Sequence, residues 1–146
     1  MRAARWNRPS TIALLAQHGA KLEARDDYGK PALILAAGYQ QADAVKMLLA
    51  CGANVNAADG TGRTALHAAA QQGNESIVRM LIDAKSNVDL RDSAGRTPWI
   101  TAVHHHKDDA LRELLEPNAD HEEFLRTLQR DRHPGDVAKH MNMVFR

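Results

Sequence analysis

The sequence predicts an all-α solenoid of stacked helix–turn–helix units because it repeats itself at one regular spacing. Gly29, Gly62 and Gly95 lie 33 residues apart, and alanines, leucines and aspartates keep the same step. Within each unit, apolar residues follow the periodicity of short amphipathic helices. A period of this length is typical of stacked repeats, which bury apolar faces against neighbouring repeats instead of in one central core.

We expect three full units between two irregular ends. The predicted bounds are 1–25 for a partial unit, 26–58, 59–91 and 92–120 for the full units, and 121–146 for a degenerate C-terminal cap that includes a helix over 121–130. In this alignment Met1 falls inside the first helix of a unit whose hairpin is missing. An open repeat interface at this end implies either further repeats before it or a partner that covers it.

Each full unit opens with turn chemistry, an Asp followed three residues later by a Gly, which predicts a tight hairpin. Thr64 and Thr97 then stand where a side chain can cap a helix, and Pro98 suits the first helical position. Pro31 occupies the capping position in the first full unit. We therefore expect the first helix of that unit to begin less firmly.

Two helices follow each hairpin, the first short and alanine-rich and the second longer and richer in large apolar residues. The second helices carry apolar residues at i, i+1, i+4 and i+5, a spacing that forms one stripe on a helix. These residues are Ala44, Val45, Leu48 and Leu49, then Ile77, Val78, Leu81 and Ile82, then Ala110, Leu111, Leu114 and Leu115. No unit can bury such a stripe alone, so stability must come from its neighbours.

The pattern resembles the ankyrin repeat, most clearly in the run GRTALHAAA at residues 62–70 and the loop CGANVNA at 51–57. The resemblance implies two antiparallel helices per unit and a β-hairpin loop that projects roughly at right angles to them. It also implies that Asn56 ties its loop through the side chain. The family pattern has a His where Ile34 and Ile100 stand, so His67 alone can form the helix-to-loop hydrogen bond, and units one and three should be looser.

Four positions depart from the glycines of the family pattern at the helix ends. They are Gln40 and His106 after first helices, and Lys85 and Asn118 after second helices. A left-handed backbone at Lys85 should cost on the order of 1 kcal/mol, whereas an Asn tolerates that conformation.

The resemblance implies that the concave face, made of hairpin tips and first helices, binds a partner protein. The candidate residues are Trp6, Arg25, Asp27, Tyr28, Lys30, Tyr39, Arg63, Gln71, Gln72, Arg96, His104 and His105, with Arg5 beside Trp6. Tyr, Trp and Arg are the types that most often anchor interfaces. Alternatively, Trp6 covers the open end of the stack, and Tyr28 and Tyr39 are ordinary surface residues. Trp99 is expected to pack in the core.

The sequence gives little support to other function classes. Lys and Arg total 19 against 18 Asp and Glu, so a net charge of +1 provides no general attraction to nucleic acid or membrane. Three consecutive histidines at 104–106 point about 100° apart on a helix and cannot converge on one metal ion. There is no phosphate-binding Gly-rich loop, HExxH or nucleophile elbow. We therefore expect no catalysis, no metal and no cofactor.

The sequence predicts a non-catalytic protein–protein interaction module. The alternative is a structural fragment of a larger ankyrin-repeat protein whose specificity lies in upstream repeats. A single cysteine, Cys51, fits a reducing compartment, and neither a signal peptide nor a membrane span is evident. We expect a cytoplasmic protein, with the nucleus as the alternative location. We also expect a monomer, with end-to-end association through the N-terminus as the alternative.

Overall fold

A computed structural model describes residues 1–105, 107 and 109–115. This part of the chain contains eight helices. They are α1 (Arg2–Arg5), α2 (Pro9–Gln17), α3 (Ala32–Gly38), α4 (Ala42–Ala50), α5 (Ala65–Gln72), α6 (Glu75–Asp83), α7 (Pro98–His104) and α8 (Asp109–Leu114). The predicted helix at 121–130, the cap at 121–146, His106 and Asn118 lie outside the described residues.

The helices form two layers. The first helices stack side by side, since α1 packs against α3, α3 against α5, and α5 against α7. The second helices stack in the same order, with α2 on α4, α4 on α6, and α6 on α8. Contacts between antiparallel partners, such as α3 with α4 and α5 with α6, join the two layers. This arrangement confirms the predicted all-α ankyrin-repeat solenoid.

The core follows the 33-residue period. Ala36, Ala69 and Ala102 are completely buried at equivalent places in successive first helices, where their small side chains let the helix backbones approach closely. The stripes of α4 and α6 are buried as predicted, apart from half-buried residues at their C-terminal ends. Trp99 is 4% exposed, which confirms its expected role in packing.

The predicted stripes were wrong at one residue. Ala110 is exposed, whereas Leu111 and Leu115 of the same stripe are buried. Ala110 lies in the first turn of α8. Apolar spacing identified the stripe, but the packing of the neighbouring helices decides where burial begins.

The starts of the first helices follow the predicted capping chemistry. Thr64 Oγ1 accepts a hydrogen bond from the His67 backbone N–H at 3.5 Å, and the Thr64 N–H donates to His67 Nδ1 at 3.1 Å. Thr97 Oγ1 accepts from the Ile100 N–H at 3.3 Å. Pro31 forms no side-chain cap at α3, as expected. Helix α3 therefore begins with less support than α5 and α7.

The hairpin loops share one hydrogen-bonding scheme. The Oδ1 atom of each opening aspartate accepts from the backbone N–H groups two and four residues later, as Asp59 does from Thr61 and Arg63 at 2.8 and 3.1 Å. Gly29, Gly62 and Gly95 all have left-handed backbone, at φ +74°, +74° and +75°. Isolated bridges close the first two loops, which makes them minimal versions of the predicted β-hairpins.

Neighbouring hairpins stack so closely that glycine is needed for a second reason. A Cβ atom at Gly62 would lie 3.3 Å from the Asp92 Cα, and one at Gly29 would lie 3.3 Å from the backbone nitrogen of Gly60. The loops between units are also linked by side chains, since Asn56 Oδ1 accepts from the Asn87 N–H at 2.7 Å. The predicted loop-tying role of Asn56 is confirmed.

His67 connects one unit to the next. Its Nδ1 atom accepts from the Thr64 N–H, so the proton resides on Nε2, which donates to the Arg96 carbonyl oxygen at 2.8 Å. Burial lowers the pKa of His67, although its hydrogen bond to Arg96 opposes that shift. Isoleucines hold the equivalent positions in the flanking units, so this bridge occurs once in the described part of the chain.

Two helix ends that lack the glycine have the same left-handed backbone conformation as the equivalent ends that have it. Gln40 has φ +58° where the equivalent Gly73 has +76°, and Lys85 has φ +67° where the equivalent Gly52 has +89°. In this left-handed region of φ and ψ, a Cβ atom clashes with the neighbouring backbone and destabilises the conformation. The predicted strain at Lys85 therefore has a structural basis.

Replacing Lys85 by glycine should stabilise the protein. Lys85→Gly should raise the free energy of unfolding by about 1 kcal/mol, because glycine removes the left-handed backbone strain. Lys46→Gly is the matched control: Lys46 lies inside α4, so its loss should destabilise by about 1 kcal/mol. Urea unfolding of both variants checks the opposite signs, and a loss of stability in both would show that Lys85 is not strained.

Stability should fall as the pH is lowered through the ordinary histidine range. The folded pKa of His67 lies below its value in the unfolded chain, so stability is complete above about pH 6.5 and declines below it as the unfolded state takes up the proton. His67→Ile, which copies the flanking units, should lose about 1–3 kcal/mol near neutral pH because two polar groups lose their partner.

Urea unfolding at about pH 7.5 and about pH 5.5 measures this pH dependence. The difference between the two pH values should be smaller in His67→Ile than in the unaltered protein. An identical difference would mean that other groups cause the pH dependence.

Candidate functional site

A groove of about 740 Å³ lies on the concave side, between the hairpin loops and helices α1, α3 and α5. Eight of the predicted site residues line it: Arg5, Asp27, Tyr28, Lys30, Tyr39, Arg63, Gln71 and Gln72. The first hairpin places Asp27, Tyr28 and Lys30 on one wall. The ends of α3 and α5 place Tyr39, Gln71 and Gln72 on the other. The repeat geometry thus brings residues from two units and the N-terminal helix to one surface.

The remaining predicted residues lie outside this groove. Trp6, 65% exposed, lines a separate shallow depression with Arg2 and Arg8. His104 and His105 lie at the end of α7, with their ring centroids 6.4 Å apart. Their participation in binding stays a prediction.

Two predicted arginines have structural partners. Arg25 donates to the Gly29 carbonyl oxygen at 2.8 Å and also to the Ala58 carbonyl oxygen, so it joins the first hairpin to the second. Arg96 forms an ion pair with Asp92 at 3.0 Å. Both guanidinium groups therefore support the hairpins that border the concave face.

Two tyrosines present large exposed rings at the groove. The Tyr28 side chain is 81% exposed at the hairpin tip, and Tyr39 is 48% exposed at the end of α3. The Arg5 guanidinium lies 4.8 Å from the centroid of the Tyr39 ring and 5.6 Å from that of Trp6. These are cation–π distances, so Arg5 holds a defined place beside Tyr39. The rings offer apolar area that a bound partner would cover.

Polar side chains complete the wall formed by α5. The Arg63 guanidinium donates to Gln71 Oε1, and Gln40 Nε2 donates to Gln72 Oε1 at 3.5 Å. The Nε atom of Arg63 is buried and has no hydrogen-bond partner among the described residues. The first contact lies within one unit, the second joins two adjacent units, and one donor of Arg63 is left unsatisfied.

The groove owes its depth to small residues that sequence reasoning missed. Gly38 and Ala68 both line it, and a Cβ atom on Gly38 would lie 4.0 Å from the Ala68 Cβ. Leu35 occupies the position equivalent to Ala68 in the preceding unit and also lines the groove. The sequence signal for this space was the change from Leu35 to the smaller Ala68 at the equivalent position of the next repeat.

Hydrogen bonds favour the ionised form of Asp59. Burial tends to raise the pKa of Asp59, but bonds from the Thr61 side chain and from the Thr61 and Arg63 backbone outweigh it and hold that pKa below its usual value. Beyond the groove, burial and the neighbouring His104 and Lys107 lower the pKa of His105. At neutral pH Asp59 is an anion whose Oδ1 atom already has its partners.

Other kinds of site find no support in the described ranges. Residues 1–105, 107 and 109–115 contain no group of three or more potential ligands arranged around a metal ion. None of the helices described there has the length and apolar character that crossing a bilayer requires.

Comparison with known proteins agrees with the repeat architecture. No curated protein matches the chain significantly. The sequence does match the family described as Ankyrin repeats (3 copies), over residues 1–59 and 49–124. Together these segments cover most of the chain, and they include every helix described above. The chain belongs to the ankyrin-repeat family.

Proposed function

We propose that the chain is a non-catalytic interaction module that binds a partner protein in the groove of its concave face. Ankyrin repeats generally act as protein–protein interaction modules, and the family is typically non-catalytic. The observation that carries the proposal is a groove of about 740 Å³ bordered by the exposed rings of Tyr28 and Tyr39. By blocking, tethering or positioning its partner, such a module would act without chemistry.

The two tyrosine rings contribute little to the stability of the fold, so the fold does not explain why they are present. Tyr28 supports its hairpin through the backbone N–H, which donates to Asp26 Oδ1 at 3.0 Å, while its ring stays exposed. The contact of the Tyr39 ring with Arg5 lies on the surface. Tyrosines are enriched among the residues that carry binding energy, because they cover a large area at a low cost in side-chain entropy.

The groove is organised before any partner arrives. The Asp26 carboxylate fixes the first hairpin, and Arg25 joins that hairpin to the second through the Ala58 carbonyl. The opposite wall consists of helix ends in the regular stack. A surface whose backbone is already ordered loses little conformational entropy on binding, which favours affinity.

The tyrosine pair gives the direct test. Tyr28→Ala/Tyr39→Ala should weaken binding by about tenfold or more, because it removes two exposed rings from the groove. Proteins retained from lysate by the unaltered chain and lost by the variant would be identified, purified and titrated against both forms. The Phe pair at the same positions is the control and should keep most of the affinity. Circular dichroism checks that all forms are folded.

A second variant tests the groove through its floor. Ala68→Leu should fill space between Gly38 and the hairpins and reduce binding of the same partner about tenfold, while changing thermal stability little. Ala50→Leu makes the same change at an exposed position of α4 and is the control. Equal partner binding by the tyrosine pair, Ala68→Leu and the unaltered chain would favour the structural-fragment alternative.

A further inference from the structure

We propose that the occupant of the groove is an acidic peptide segment of the partner protein. This inference rests on the proposed function and adds the chemistry of the ligand. It follows from the contrast between the cations of the groove, which form no close ion pair, and two of its three carboxylates, which hold the hairpins.

The cations come from three places in the fold. Arg2 and Arg5 belong to α1, Lys30 to the first hairpin and Arg63 to the second, and all four line the groove. The ion pairs among the described residues are Arg79 with Glu75, Arg96 with Asp92, and Arg112 with Asp109. None of these involves a groove cation. Within the described part of the chain, the four positive side chains therefore form no ion pair within 4 Å, although the Asp59 carboxylate attracts Arg63 at longer range.

The acidic residues of the groove are used differently. Asp26 Oδ1 accepts from the Tyr28 and Lys30 backbone N–H groups at 3.0 and 2.8 Å. Asp59 Oδ1 accepts in the same way from its own hairpin. Asp26 and Asp59 thus satisfy backbone donors, and neither forms a close ion pair with a groove cation. Asp27, which is exposed at the hairpin tip, adds an opposing charge at one edge.

One position of the repeat supplies the hairpin cations. Lys30, Arg63 and Arg96 each follow the tip glycine, 33 residues apart. Asp92 neutralises Arg96 at 3.0 Å, outside the groove. Arg63 retains a buried Nε donor with no hydrogen-bond partner among the described residues. Of the three hairpin cations, only Lys30 and Arg63 therefore line the groove, where they join Arg2 and Arg5 of α1.

This mixture of charges favours a peptide over a nucleic acid. Nucleic-acid sites neutralise a continuous run of phosphates with many basic residues. Here the three carboxylates of Asp26, Asp27 and Asp59 lie in the same groove and would repel such a run. A peptide can place separate carboxylates at Lys30 and Arg63 and an apolar residue against the tyrosine rings.

The probe is a set of short synthetic peptides that alternate leucine with glutamate, glutamine or lysine, bound to the purified full chain. Fluorescence anisotropy should show that the glutamate peptides bind about tenfold more tightly than the glutamine peptides, because charge complementarity favours the correct partner. Their affinity should fall as salt is raised. A single-stranded oligonucleotide is measured alongside as the competing ligand.

Charge reversal at the hairpins locates the effect. Lys30→Glu/Arg63→Glu should abolish the preference for glutamate over glutamine peptides. Lys46→Glu/Lys85→Glu makes the same change in net charge at exposed positions away from the groove and should keep the preference. If the reversed variant does not fold, the neutral pair Lys30→Gln/Arg63→Gln replaces it, with the same expected loss.

The outcomes separate this inference from the proposed function. Equal binding of glutamate and glutamine peptides, lost in Tyr28→Ala/Tyr39→Ala, would overturn the acidic ligand and leave the groove as a binding site. Peptide binding unaffected by the tyrosine pair would overturn both proposals. Tighter binding of the oligonucleotide than of the glutamate peptides, or equal loss of preference in the Lys46/Lys85 control, would also overturn the acidic-peptide proposal.

Discussion

The close approach of successive first helices governs the architecture of this protein. Alanine at positions 36, 69 and 102 allows it, since each of these side chains is completely buried between neighbouring helices. The same spacing brings the hairpins together so tightly that a Cβ atom on Gly62 would lie only 3.3 Å from the Asp92 Cα. The groove exists because the stack holds hairpins on one side and helix ends on the other. A larger residue at one of these alanines would disturb core, loops and groove together.

Within this regular stack, the bonds between units are unequal. The middle unit has a capped first helix, and His67 bridges it to the following hairpin. The preceding unit begins at Pro31 without a side-chain cap and has Ile34 in place of the histidine. In a linear array, stability is a sum of unit and interface contributions, so we expect these differences to make the middle unit more stable than the preceding one. The groove spans the junction between these two units.

Local chemistry made much of the fold predictable. Threonine caps, aspartate–glycine turns and the bridging role of His67 depend on residues within one repeat and its immediate successor, and sequence spacing reveals them. The groove was harder to predict because it depends on which side chains from three helices face each other. The structural role of Arg25, whose guanidinium joins two hairpins, was likewise not evident from the sequence. The contributions of Gly38 and Ala68 arise from the absence of bulk, which a search for chemical groups overlooks.

The hydrogen bonds of the hairpins also distinguish the residues that the loop shape requires from those that can be substituted. Asp26 and Asp59 hold their turns through backbone N–H groups, and these groups belong to every residue except proline. The side chains at positions 27, 28 and 30 can therefore change without loss of the bonds that shape the loop. A lineage of such proteins could exchange one partner for another through a few substitutions at these tips, while the stacked helices stay the same.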